Sequence, residues 1–358
     1  MKFHKLNSVY TLDNGLPTSK LIAGFDLDHT LIKPKDNKVH PKDKDDMELC
    51  FPNVKDKLTE LITNGYDIVI FSNQSTFHKQ EKQDIITTRI ISFIEQIELP
   101  IYVYISTLSD HCRKPNTGMW DELFGDKSID LAQSFYVGDA AGRNKNSQTG
   151  KKDFACSDRM FALNIGIKFY TPEKFFHPEL YTKKEIYKIK KTWTTFSLEQ
   201  PELDIEDYEV IILIGSPGSG KSSLFKTITG FTLVSQDELK YKSKCIKLMN
   251  DTLKSGGKVI IDNTNPKRDK RKSYIEIAQK YGKKILSVVI NVTKEQSMFL
   301  VNYRCKINKT VKIPDVAIHT YFKNYEKPVK EEGFDKIIPR TFVPELDEIK
   351  KVLFEQYF

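Results

Sequence analysis

Cysteine is scarce and scattered in this chain. The five thiols, Cys50, Cys112, Cys156, Cys245 and Cys305, form no Cys-x-x-Cys pair among 358 residues. That spacing gives no support to a disulfide framework or to a zinc site, and predicts reduced thiols inside a cell. Long apolar runs are missing too. None approaches the roughly 20 residues that a membrane helix needs, so no membrane partner is expected. The first 12 residues lack a continuous apolar stretch and a small-residue cleavage site, so no secretory signal is expected. Internal repeats and low-complexity segments are absent. Acidic residues are outnumbered 48 to 56, leaving a net charge of +8. Much of the excess is lysine in runs at 183–184, 188–191 and 267–272. Such runs are either a solvated surface or a track for a polyanion.

What is present is enough for two ordinary cores. Apolar residues make up 39% of the chain, and the mean hydropathy is −0.45. From residue 21 to about 170 the pattern alternates strand and helix. Residues 21–25, 67–71, 101–106 and 134–137 read as short buried strands, and 55–64 and 83–96 carry helix-spaced apolar residues. A second such pattern starts at residue 210. It has strands at 210–214, 258–261 and 285–292, and helices at 222–229, 239–255 and 269–281. The residues between read as a short basic helix and then an acidic linker. The expectation is an α/β chain with two largely parallel sheets. Its first domain spans 1–182, a linker 183–207 and a second domain 208–358.

Each pattern carries phosphate chemistry at its strand ends. In Asp26-Leu27-Asp28-His29-Thr30 the two carboxylates leave the strand on the same side. One can attack phosphorus while the other protonates the leaving oxygen and later acts as a base. The crowded negative charge calls for a metal, and oxygen ligands favour Mg²⁺. The strand before Ser72-Asn73-Gln74 brings a hydroxyl and an amide for phosphate oxygens. Arg113-Lys114-Pro115 offers a cation, and Gly138-Asp139 ends another strand with a carboxylate.

In the second pattern, Gly215-Ser216-Pro217-Gly218-Ser219-Gly220-Lys221-Ser222 fits the eight-residue phosphate loop between a strand and a helix. Gly215, Ser216, Gly218, Ser219, Gly220, Lys221, Ser222 and Ser223 are the expected ATP-binding residues, with Ser222 on Mg²⁺. Asp237 follows a strand and can take a proton from an attacking hydroxyl. Asp262 follows another and can orient the Mg²⁺-bound water or that base. Arg304, on a late helix, can close over the transferring phosphoryl group.

These motifs resemble the polynucleotide kinase 3′-phosphatases of DNA end repair. The runs that carry the likeness are 112–121 (CRKPNTGMWD), 137–143 (VGDAAGR), 152–164 (KDFACSDRMFALN) and 262–266 (DNTNP). The resemblance implies a haloacid-dehalogenase-type 3′-phosphatase domain followed by a P-loop 5′-kinase domain. It implies Asp26 as nucleophile, Asp28 as acid and base, and Asp139 completing the Mg²⁺ site with Asp26 and Asp28. Ser72, Asn73 and Lys114 would bind the phosphoryl group, with Asp158 behind Lys114 or the metal. Asp237 would activate the 5′-hydroxyl.

The implied substrate is nucleic acid, most of all DNA with 3′-phosphate or 5′-hydroxyl ends made ready for ligation. A ligase or repair scaffold is an implied partner. A monomer in the nucleus, or at a site of viral DNA replication, is the expected setting. RNA or tRNA end healing is the enzymatic alternative, though phage enzymes of that type resemble the reverse domain order. A non-catalytic nucleic-acid scaffold would have lost its nucleophile or loop lysine, yet Asp26, Asp28, Lys221 and Asp237 are all present.

The chain also departs from the family. The few residues before Asp26 lead to the expectation of no forkhead-associated domain like that of animal members. His29 stands where glycine is usual. Gln236 replaces an arginine, for which Lys240 is the expected substitute. Residues 75–79 lack the family's glycine-rich, arginine-bearing pattern.

Overall fold

A computed structural model of the chain describes residues 2–12, 15–35, 41–77, 79–125, 127–145, 150, 152–182, 189–197 and 203–358. They fall into two compact units. The first is Met1–Lys190 with Asn308–Val311 and Gln356–Phe358; the second is Lys191–Ile307 with Lys312–Glu355. Most of the expected basic helix and part of the linker, at 183–188 and 198–202, lie outside the described residues.

The first unit contains β1 (Phe3–Leu6), β2 (Val9–Leu12), β3 (Leu21–Phe25), β4 (Ile32–Lys33), β5 (Glu48–Leu49), β6 (Tyr66–Asn73), β7 (Ile101–Ser106), β8 (Phe135–Val137) and β9 (Lys168–Tyr170). Seven of these form one sheet in the order β1-β2-β7-β6-β3-β8-β9. The β1–β2 and β2–β7 pairs are antiparallel, and the rest are parallel. Alternate residues feed opposite faces, as the period of a strand requires. Ala23, Phe25, Ile68 and Ile70 enter one buried cluster, while Ile22, Val69 and Phe71 enter another. Phe25 pairs with both Ile70 and Val137. That register brings the residues just after β3 and β8 level with the last residues of β6 at the C-terminal edge, where such sheets bind ligands.

The second unit contains β10 (Val210–Ile214), β11 (Phe231–Ser235), β12 (Lys258–Asp262), β13 (Ile285–Asn291) and β14 (Lys336–Thr341), all parallel, in the order β11-β12-β10-β13-β14. All five residues of β10 are buried, with Val210, Ile212 and Ile214 on one face and Ile211 and Leu213 on the other. Leu213 pairs with Asp262, and Asp262 with Ser235, so three strand ends again share one edge.

Two helices differ from the sequence expectation. The helix expected at 222–229 ends early, as Lys221–Phe225. The β-branched Thr227, Ile228 and Thr229 follow, Thr227 and Ile228 bond three residues back, and the Thr227 hydroxyl donates to the Leu224 carbonyl. The helix expected at 239–255 splits into Gln236–Leu239 and Lys242–Lys254, because Lys240 takes a left-handed φ of 68°.

Candidate active sites

In the first unit the sequence-predicted residues converge around one buried lysine. The Lys114 ammonium donates to Asp26 Oδ1 at 2.6 Å, to Asp158 Oδ1 at 2.7 Å and to the Tyr136 hydroxyl at 2.7 Å. Asp26 leaves β3 with its amide bonded to the Val137 carbonyl at 2.8 Å. Asp158 opens the helix Ser157–Ile165, and its Oδ2 accepts from the Ala140 amide at 3.0 Å. Gly138 permits this approach, since a Cβ there would stand 2.5 Å from Asp158 Oδ2.

The carboxylates of Asp26, Asp139 and Asp158 each bring an oxygen within 4.8 Å of the others. Against one Lys114 charge they leave an excess of two negative charges when ionised. Burial pushes the Asp26 carboxyl up to about 7, against the pull of Lys114 and with help from Asp158. Burial pushes Asp139 up to about 8, with Asp158 and Asp26 adding to it. Burial works to lower Lys114, but Asp158 and Asp26 outweigh it and hold its charge. An all-oxygen, doubly negative group fits a hard divalent cation such as Mg²⁺.

Asp158, expected behind the site, therefore belongs to this group. Asp28, expected among the metal ligands, has its carboxylate outside the group. Its Oδ2 accepts from Gln74 Nε2 at 2.7 Å and its Oδ1 from Arg89 at 3.0 Å. Ser72 is buried, and its hydroxyl also accepts from Gln74 Nε2, at 2.9 Å. Asn73, expected on phosphate, instead clasps the backbone of Lys114. Its Nδ2 donates to the Lys114 carbonyl and its Oδ1 accepts the Lys114 amide, both at 3.0 Å. His29 holds φ at 59°, which explains why glycine is usual there.

Sequence reasoning placed Gln74 in the phosphate-binding run and not on Asp28, and it missed Arg89 and Tyr136. The one available signal was an arginine on the apolar stripe of helix Gln80–Ile97, beside Ile86 and Ile90. Buried there, it needs a partner.

In the second unit the loop 215–222 joins β10 to the helix Lys221–Phe225. Gly218 and Gly220 hold φ of 78° and 91°, and a Cβ on Gly220 would collide with the Phe342 ring. Lys221 folds back on the loop, donating to the Gly215 and Ser216 carbonyls at 2.8 and 2.9 Å. Burial pushes it down to about 8, opposed by Asp262 and Asp237, with the Arg304 charge adding to the fall. The Ser216 and Ser219 hydroxyls are buried and have no partner among the described residues. Unmet donors and a buried ammonium fit the phosphates of a nucleotide.

The Ser222 hydroxyl donates to Asp262 Oδ2 at 3.1 Å, and the Asp262 carboxyl is raised, first by burial. That pair fits Mg²⁺ beside the phosphates. Ser223 lies exposed on the same helix. Asp237 is exposed after β11, and Arg304 is exposed on the helix Lys294–Asn308. The Lys240 ammonium, expected on substrate phosphate, donates to the Asp237 carbonyl at 2.7 Å. Arg271, from the basic run, is fully buried. It grips Glu332 with two bonds of 2.7 Å and also donates to the carbonyls of Asn265, Pro266 and Glu326.

Known proteins are similar to this chain in sequence. A family described as polynucleotide kinase 3 phosphatase matches residues 21–176, and one described as AAA domain matches residues 210–328. The bifunctional polynucleotide phosphatase/kinase of Schizosaccharomyces pombe is 37% identical over 342 residues, which is 92% of this chain and 82% of that protein. A putative bifunctional polynucleotide phosphatase/kinase of Acanthamoeba polyphaga mimivirus is 33% identical over 361 residues, covering 90% and 84%. The polynucleotide 3′-phosphatase ZDP of Arabidopsis thaliana is 37% identical over 181 residues, covering 45% of this chain and 25% of that protein.

Proposed function

Because the chain belongs to the bifunctional polynucleotide phosphatase/kinase family, we propose that it prepares DNA ends for ligation by removing 3′-phosphate and phosphorylating 5′-hydroxyl groups. Residues 1–182 would carry the phosphatase and 208–358 the kinase. The observation that carries this reading is the Lys114 ammonium set between Asp26 and Asp158, with Asp28 held on separate partners. One carboxylate would thereby serve as the nucleophile, and the other, aimed by Gln74 and Arg89, would move protons.

In the first half-reaction an Asp26 oxygen attacks phosphorus, and the bond from phosphorus to the 3′ oxygen breaks. Asp28 gives its proton to that leaving oxygen. Asp28 then takes a proton from water, which attacks the aspartyl phosphate and releases inorganic phosphate. Lys114 and Ser72 hold the phosphoryl oxygens. Mg²⁺, held by Asp26, Asp139 and Asp158, would offset the negative charge that builds there.

In the kinase half the loop amides, Lys221 and Arg304 would hold the ATP phosphates, and Ser222 and Asp262 would hold a Mg²⁺ that offsets their charge. Asp237 takes the proton of the 5′-hydroxyl, whose oxygen attacks the γ-phosphorus as ADP leaves.

The test uses 3′-phosphate and 5′-hydroxyl oligonucleotides, as DNA and as RNA, with and without ATP. Asp26→Asn should abolish phosphate release and spare phosphorylation, and Lys221→Ala should do the reverse. If either change removes both activities from a folded protein, the assignment of one site per half is wrong. Preference for RNA ends would move the substrate to RNA healing.

A further inference from the structure

The loop that delivers Lys114 carries a second group of metal-ligating side chains. Asp110, His111 and Cys112 bring one ligand atom each within 4.8 Å of one another. Glu122, on the helix Gly118–Phe124, reaches back to His111 and Cys112. Its Oε1 lies 3.4 Å from Cys112 Sγ and 3.5 Å from His111 Nε2, and that Sγ and Nε2 are 3.5 Å apart. Sulfur, nitrogen and oxygen thus form a nearly equilateral triangle. A tetrahedral ion with zinc's bond lengths to these three atoms sets them about 3.3–3.6 Å apart. The donors already stand at those separations.

Hydrogen bonding alone leaves this cluster incomplete. His111 Nδ1 and Glu122 Oε2 are buried without a partner among the described residues. Cys112 is fully buried. A bound cation supplies the charge that would favour the thiolate. The donor set also selects the ion. Thiolate and imidazole suit zinc-like metals, whereas Mg²⁺ and Ca²⁺ take oxygen.

We propose that His111, Cys112 and Glu122 form a site for a divalent ion of the zinc class that braces the Lys114 loop. The bracing has a visible route. The His111 carbonyl accepts the Gly118 amide at 3.1 Å, the Asp110 carbonyl accepts Asn116 Nδ2 at 3.0 Å, and Lys114 is clasped by Asn73. An ion joining 111–112 to Glu122 closes that loop at its base. The inference does not depend on which polynucleotide end is the substrate.

The test is a cobalt titration of the full chain after metal removal, since Co²⁺ replaces zinc and reports a thiolate ligand by a charge-transfer band. The wild type should develop the band, and added Zn²⁺ should abolish it. Cys112→Ser should lack it. Glu122→Gln should weaken Co²⁺ binding by at least the about 10–100-fold that follows loss of even an indirect partner. Asp139→Asn, in the separate carboxylate group, should keep the band. Thermal unfolding of each variant checks its fold. If Cys112→Ser fails to fold, Glu122→Gln gives the reading by itself. No band in the wild type, a band that survives in Cys112→Ser, or unchanged affinity in folded Glu122→Gln would overturn the proposal.

Discussion

In the proposed phosphatase cycle Asp28 would act twice, so the groups that aim its carboxylate would set the rate. Arg89 and Gln74 each hold one oxygen. The Arg89 side chain is 3% exposed and that of Asp28 is 32% exposed. Arg89→Met keeps the buried aliphatic bulk and removes the donor. Asp28 can then take water, so the fold should survive. A hydrogen bond to a charged group contributes about 1.5–3 kcal/mol. Gln74 remains, which argues for the lower end. About 1.5–2 kcal/mol corresponds to about 10–30-fold in rate. The expected result is that loss in kcat for release of 3′-phosphate, with KM for the oligonucleotide nearly unchanged and the kinase untouched. Arg89→Lys should recover part of the rate, because a point charge replaces a planar fork. Adding Gln74→Ala should cost more than the two single losses combined, since both groups serve one carboxylate. A folded Arg89→Met protein with wild-type kcat would refute the reasoning. So would an equal loss of kinase activity.

Three more outcomes are expected. Arg271→Met should destabilise the second unit by about 3–5 kcal/mol in chemical denaturation, because it strands buried Glu332; replacing Lys267 and Lys270 should spare stability and flatten the salt dependence of polynucleotide binding. Asp26 and Asp139 hold protons to about 7 and about 8 when folded, against 3.8 ordinarily. The metal-free fold therefore binds more protons than the unfolded chain, and should lose stability as pH rises from about 4 to about 8. Mg²⁺ should then raise Tm more at pH 8 than at pH 5, and an equal rise at both would contradict the crowded-carboxylate account. Gly220→Ala should cost about 1–2 kcal/mol for its left-handed backbone alone. It should also raise the ATP KM while leaving phosphate release intact; an unchanged ATP KM would mean the loop tolerates a Cβ against Phe342.

The sequence by itself determined two successive α/β patterns and which polar groups stand at their strand ends. Apolar runs such as 21–25 and 210–214 mark strands buried on both faces, and a reactive group placed directly after such a run must emerge at the sheet edge. Asp26, Asp139, Asp262 and the loop 215–222 were legible because each is local to its strand. The tertiary structure alone decided what the long side chains do. Arg89 lies 61 residues from Asp28, and the stripe that carries it reads equally as plain core. Arg271 sits in a run of surface cations, yet its helix turns that one position inward onto Glu332. His111, Cys112 and Glu122 share no metal-binding spacing; the turn at 113–117 and the helix after it put their three donor atoms at one point. Which face a helix buries, and which distant group meets it there, depends on packing, and packing has no local signature in the chain.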